Sequence, residues 1–186
     1  MAERSSKPEI SSGAKRGKSS LEIYILRHGE AGARFDEPEK DDARPLTRDG
    51  RKEMTEIAKS LPKLGVDFDL IASSPLPRAV QTAEIVARQY RMLNKLEKWD
   101  ELRHPAENET LFKRLSRARK GSSVLLVGHE PHLSGMIGEV ISGNSGVNLV
   151  LKKAGLAKLE IQAFKPKITG ELRWLLTPKI VKKTGK

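Results

Sequence analysis

The chain contains no cysteine. Disulfides, thiolate metal sites and any sulfur nucleophile are therefore excluded, and chemistry at this protein has to use other side chains. Long hydrophobic runs are missing too. No stretch approaches the ~18–20 apolar residues of a membrane-crossing helix, and the first twenty residues hold nothing like the apolar segment of a signal peptide. A cytoplasmic protein with no membrane partner is expected. There is also no internal repeat.

What is present suits one domain. The chain has 186 residues, of which 37% are hydrophobic, enough for a single core of ordinary size. The net charge of +11 is gathered toward the ends. Residues 1–20 carry five basic and two acidic groups, and residues 179–186 carry four basic groups and no acidic one. The 158 residues between them are only mildly basic, at +4. Cationic ends on such a middle suit solubility or weak polyanion attraction, so nucleic acid is not expected as the main ligand. Residues 1–20 hold too little apolar surface to offset chain entropy and read as a disordered basic tail, residues 21–178 as the folded domain, and residues 179–186 as a basic C-terminal tail. Within the first tail, residues 13–19 imitate a phosphate-binding loop but have one residue too few between glycines, with no strand before or helix after.

Hydrophobic periodicity divides the middle into alternating elements. Residues 21–26 read as a buried strand. Thr47 then caps a helix whose Met54, Ile57, Ala58 and Leu61 share one face, and Pro62 and Gly65 end it. Residues 70–73 form a second apolar run, followed by a helical pattern through Ala79, Val80, Ala83, Val86 and Tyr90. A weak strand lies near residues 93–99, and Leu111, Leu115 and Ala118 mark a third helix. Residues 124–127 are the clearest buried strand, with a helix over residues 132–141 after it. Residues 148–151, 156–161 and 172–176 read as closing strands paired as hairpins. Strands alternating with helices predict an α/β fold: a three-layer α/β/α sandwich on a mostly parallel sheet, with antiparallel closing strands.

In open sheets of this kind ligands bind beyond the carboxyl ends of the strands. The residues standing there are Arg27 and His28 after the first strand, Ser74, Pro75 and then Arg78 after the second, and Gly128, His129 and Glu130 after the 124–127 strand. Two arginines and two histidines converging on one sheet edge would make a pocket for a phosphate dianion, because the guanidinium fork matches its oxygens through charge-assisted bonds. Cations aimed at one point without a counter-ion would be costly, so an anionic ligand is implied.

These residues also follow a family pattern. Leu26-Arg27-His28-Gly29-Glu30 resembles the signature of the histidine phosphatase (phosphoglycerate mutase-like) superfamily. Arg44-Pro45-Leu46-Thr47, Ser73-Ser74-Pro75 with Arg78-Ala79 and Gln81-Thr82-Ala83, and Val127-Gly128-His129-Glu130-Pro131 follow in that family's order. The short form, with Arg-Pro-Leu-Thr soon after the first motif, looks most like the SixA-type phosphohistidine phosphatase branch. The resemblance implies a phosphoglycerate mutase-like fold and a hydrolase without metal or other cofactor, in which His28 takes the phosphoryl group. Arg27, Arg78 and His129 would bind its oxygens, with His129 protonated, and Gly29 would let the phosphate approach the backbone. His28 has to be neutral, which Arg27 and Arg78 favour by repulsion, with a backbone acceptor holding its other ring nitrogen. Relatives acting on alcohol esters use a carboxylic acid for the leaving group, and Glu101 is the candidate. A phosphoramidate would depend on such an acid less. The implied partner is a phosphorylated protein or small molecule. The competing readings are a phosphomonoesterase of small phosphates and a non-catalytic phosphate-binding module. A mutase is disfavoured because the chain lacks long insertions able to build a cap.

Other residues have plainer readings. His104 precedes a proline in a loop, and His132 begins a helix. His129-Glu130-Pro131-His132 is one residue short of the zinc-binding His-Glu-x-x-His spacing. Arg44 suits a loop-fixing salt bridge better than a phosphate contact, and Thr47 a helix cap. Trp99 and Trp174 read as packing residues.

Overall fold

Strand β1 (Leu21–Arg27) runs through the centre of a six-stranded sheet. Its side chains alternate between two cores, with Ile23 and Ile25 on one face and Tyr24 and Leu26 on the other. A strand apolar on both sides has to be covered on both sides, and here helices do so. The computed structural model describes residues 20–103 and 105–184. The expected disordered tail and the loop-like stretch at residues 13–19 therefore lie, except for Ser20, outside the described residues, and so does His104.

The sheet order is β3-β2-β4-β1-β5-β6. β1 pairs in parallel with β4 (Ser123–Gly128), which pairs in parallel with β2 (Leu70–Ser73), which pairs in parallel with the short edge strand β3 (Leu96–Lys98). On the other side of β1, β5 (Leu156–Ala163) and β6 (Thr169–Leu176) close the sheet antiparallel. One face carries α2 (Arg48–Ser60) and α3 (Pro77–Gln89), which bury Met54, Ile57, Ala79, Ala83 and Val86 against Leu125 and Val127. The other carries α4 (Asn108–Leu115) and α5 (His132–Ser142), which bury Leu111, Leu115, Met136 and Ile137 against Val124 and Leu126. This is the expected three-layer α/β/α sandwich of phosphoglycerate mutase-like form.

Local chemistry explains how α2 meets the loop that follows β1. The Thr47 hydroxyl accepts a hydrogen bond from the Gly50 N–H at 3.0 Å, and the Thr47 N–H donates to the Glu30 carbonyl at 3.0 Å. At position 50 a Cβ would stand 2.1 Å from that carbonyl oxygen. Only glycine lets the helix start so close to the loop.

Three expectations differ from the structure. Residues 148–151 form no strand. Leu151 is buried, but its carbonyl accepts from Arg27 Nη1 at 2.9 Å rather than joining a ladder, and Val150 beside it is exposed. An apolar pair in a loop passed for a strand. The short helix α1 (Pro38–Asp42) buries none of its residues, so no periodicity announces it. The stretch 179–186, expected to be a tail, is instead largely helix α6 (Pro178–Thr184), whose Val181 is buried in the α2 and α3 core while Lys182 reaches Glu53 at 2.7 Å. A single buried residue among lysines leaves too faint a pattern to read as amphipathic.

Candidate functional site

The site begins with a register. β1 and β4 pair so that Arg27 stands opposite Gly128. The chain then leaves both strands at the same level, and the His28 N–H donates to the Gly128 carbonyl at 3.1 Å. His28 and His129 are thereby set side by side, with ring centroids 5.1 Å apart. β2 ends one strand further along, and the Ser74 N–H continues the ladder to the Val127 carbonyl at 2.9 Å. The Ser74 hydroxyl lies 2.8 Å from His129 Nε2. Arg78, in the first turn of α3, reaches the same space. Arg27, His28, Arg78 and His129 thus line one cavity of about 190 Å³ at the carboxyl ends of β1, β2 and β4.

The His28 ring is buried, and its Nδ1 donates to the Gly29 carbonyl at 2.7 Å. That bond fixes the tautomer and leaves Nε2 with the lone pair. Burial lowers the His28 pKa to about 4, aided by the charges of Arg78, Arg27 and Arg44 and opposed by the Gly29 carbonyl. The ring is neutral near pH 7, as expected. Burial, rather than the arginines, is the main cause.

The arginines are held by carbonyls. Arg27 Nη1 donates to Leu151, and Arg78 Nη1 donates to the Asp41 carbonyl at 2.7 Å while its Nη2 lies 3.6 Å from the Asp41 carboxylate. Burial lowers both guanidinium pKa values, which reflects the cost of keeping these cations from water. Nε of Arg27 and Nε of Arg78 are buried and meet no acceptor among the described residues. Both are on arginines that line the cavity, whose guanidinium groups suit an oxyanion.

Other groups fall outside these expectations. Arg44 does fix a loop, through Asp41 at 2.9 Å and the Ala31 carbonyl at 2.9 Å, but it also lines the cavity. Gly29 is glycine because of packing: a Cβ there would lie 2.7 Å from Met54 Cγ, and its N–H donates to Thr82 Oγ1 at 3.1 Å. Glu30 accepts from the Ala31 and Gly32 N–H groups and pairs with Lys153 at 2.7 Å, and the Lys153 bond helps to hold its carboxyl below the usual range. His132 is buried and does not line the cavity.

Glu101 is the expectation that the geometry corrects. It stands at the far end of β3, at the sheet edge, in the short 3-10 turn Asp100–Leu102, and does not line the cavity. Its two oxygens lie 3.2 and 3.1 Å from Arg114 Nη1, and that guanidinium stacks over Trp99 at 4.1 Å from the ring centroid. The carboxylates that do line the cavity are Asp41, Asp42 and Glu130. Sequence reading missed Asp41, Asp42, Ser74, Arg34 and Lys153. Ser74 and Thr82 sat within recognised motifs without a role, whereas the α1 aspartates and Lys153 belong to polar segments that show no pattern. Among the described residues no group of three or more His, Asp or Glu is arranged to hold a metal ion, and no helix is long and apolar enough to cross a membrane.

The chain belongs to the histidine phosphatase superfamily. The model of that superfamily, branch 1, matches residues 23–107. More particularly, the fold is similar to a protein histidine phosphatase SixA complexed with tungstate, at 24% identity and a TM-score of 0.74, over 86% of this chain and 99% of that one. It is also similar to a putative phosphohistidine phosphatase SixA from Agrobacterium tumefaciens, at 27% identity and a TM-score of 0.67, over 84% and 98%. An uncharacterised protein of Picosynechococcus is 35% identical over 86% of this chain and 98% of its own length.

Proposed function

We propose that this protein is a phosphatase that removes phosphoryl groups from nitrogen, with phosphohistidine or a small phosphoramidate as substrate, through a covalent phosphohistidine on His28. Membership of the superfamily supports a phosphatase. One observation carries the finer reading: a buried, neutral imidazole whose Nδ1 is committed to the Gly29 carbonyl stands beside two arginines, around one small cavity.

In this mechanism the Nε2 lone pair of His28 attacks phosphorus and the P–N bond breaks, the leaving group departing as a neutral imidazole or amine because it is protonated in the substrate. Arg27, Arg78 and protonated His129 hold the equatorial oxygens and stabilise charge as it spreads during transfer. Water then attacks phosphorus, the P–Nε2 bond breaks, and inorganic phosphate leaves with His28 restored. The tungstate held by the similar SixA protein is a tetrahedral oxyanion of the kind this cavity would take. A nitrogen that carries its proton in the substrate depends less on a general acid than an alkoxide does, for which a proton donor is worth ~10²–10⁴ in rate. A cytoplasmic setting and a phosphorylated protein or small-molecule partner belong to the same proposal.

The test is a hydrolysis comparison of phosphohistidine, phosphoramidate and common phosphate monoesters with chelator present. We expect kcat/KM for the P–N substrates to exceed that for the esters by about a hundredfold. Preference for an ester would assign the protein to phosphomonoesterases instead. Binding without turnover of any of them would leave a phosphate-binding module.

A further inference from the structure

Five permanent cations line the cavity, Arg27, Arg34, Arg44, Arg78 and Lys153, against three carboxylates, Asp41, Asp42 and Glu130. A doubly charged phosphoryl group balances that excess. With His129 protonated, as the proposed mechanism has it, one positive charge is left over. Four of the five cations are anchored. Arg27 bonds to the Leu151 carbonyl, Arg44 to Asp41, Arg78 to the Asp41 carbonyl and Lys153 to Glu30. Arg34 alone of the five has neither an ion pair nor a hydrogen bond among the described residues. It is exposed on the loop between β1 and α1, at the mouth of the cavity. Its charge also works against those of Arg27 and Arg78, lowering the pKa of each.

An arginine in that position gains nothing from the protein itself. Solvent screens its repulsion from the deeper arginines without cancelling it. It cannot serve the phosphoryl group in place of the buried pair, because it stands at the rim while they line the interior. With the phosphoryl group held by the buried arginines, the part of a substrate that projects from the cavity toward this exposed rim would be the leaving group.

We propose that Arg34 binds a carboxylate carried by the leaving group next to the phosphorylated nitrogen, so that the preferred substrate is acidic beside its phosphoryl group. This rests on the phosphatase reading above and narrows its substrate. The carboxylate can come from a small phosphorylated acid or from an acidic residue beside a phosphohistidine in a protein. Arginine suits either, since its fork takes both carboxylate oxygens.

Two matched pairs of substrates test the proposal and separate the two sources. The first is N-acetyl-phosphohistidine and its methylamide, which share the P–N bond and leaving imidazole and differ in one carboxylate. The second is a short phosphohistidine peptide with flanking Asp or with flanking Asn. In the wild-type protein we expect kcat/KM to favour the acidic member of at least one pair by about tenfold, through KM rather than kcat. In Arg34→Gln that ratio should fall to near one, and Arg34→Lys should keep part of it. Preference in the first pair alone identifies a small acid, and preference in the second a protein segment. Ratios near one in both pairs, or a ratio unchanged in Arg34→Gln, would overturn the assignment of Arg34 while leaving the phosphatase reading intact. No turnover of any of the four would overturn both. Because Arg34 has no hydrogen-bond or ion-pair partner among the described residues and its charge opposes Arg27 and Arg78, the Arg34→Gln protein should unfold no lower than the wild type, which separates lost recognition from lost structure.

Discussion

Two kinds of strand end meet at this sheet edge. β1, β4 and β2 are interior neighbours; His28 and Ser74, just past β1 and β2, are locked by ladder hydrogen bonds that continue beyond the strands, and His129 follows β4 directly with its carbonyl taken by the first turn of α5. β3 is a three-residue edge strand paired on one side only, and the residue just past it that sequence reading favoured, Glu101, goes to Arg114. Interior strands transmit register to whatever follows them, because neighbours on both sides fix their level. An edge strand is fixed from one side only: the Trp99 N–H still reaches the Ser73 carbonyl at 2.8 Å, but Glu101, two residues further on, settles a local charge with Arg114. Sequence motifs therefore locate chemistry well at interior strand ends and poorly at edges.

If interior strand ends carry the chemistry, their residues are indispensable. The largest effect is expected at Arg78. Arg78→Ala should lower kcat/KM for a P–N substrate by about 10³, as loss of a charged donor to a transferring phosphoryl group does, while Arg78→Lys should recover part of it. The same change should abolish the rise in unfolding temperature that inorganic phosphate or tungstate gives the wild type, since anion binding to the native state alone produces that rise. Thermal scans against anion concentration measure it.

His129→Gln should cost about 10²-fold in kcat, less than Arg78→Ala, because both arginines remain around the oxyanion. Rapid-mixing measurement of the first turnover would assign that loss to phosphoryl transfer.

His28 carries a prediction about stability. Its folded pKa of about 4 lies below the ordinary 6.5, so between these values the unfolded chain binds a proton that the native protein does not. Its contribution is complete above pH 6.5 and is lost as pH falls toward 4, by something on the order of 3 kcal/mol. Urea unfolding at pH 6.5 and 4.5 should show a smaller loss in His28→Asn than in the wild type. An equal loss would contradict the buried, neutral imidazole.

The smallest effect is expected at the edge. Glu101→Gln should change kcat/KM less than about threefold, and loss of its partly exposed pair with Arg114 should cost under ~1 kcal/mol. A hundredfold loss at Glu101 would mean that β3 delivers chemistry after all.

The sheet and its helices were legible because their residues repeat with the right periods: Met54, Ile57 and Ala58 on α2, and Val124 to Val127 through β4. Convergence of Arg27, His28, Arg78 and His129 followed from the rule that ligands lie beyond strand ends. What escaped was polar or irregular. α1 buries nothing, so Asp41, which braces Arg44 and Arg78, left no trace in hydrophobicity. Leu151 looked like part of a strand because it is apolar and stands beside Val150, although its carbonyl instead accepts from Arg27. α6 had one apolar anchor, Val181, among lysines. The packing of Gly29 against Met54 also left no sign in the sequence.

The most direct test of the central claim is acid-labile label on His28. Rapid quench after mixing with a ³²P-labelled phosphoramidate should trap phosphate on the wild-type protein, stable in base, lost in acid and absent from His28→Ala. Turnover with no trapped label, or equal labelling of His28→Ala, would contradict it.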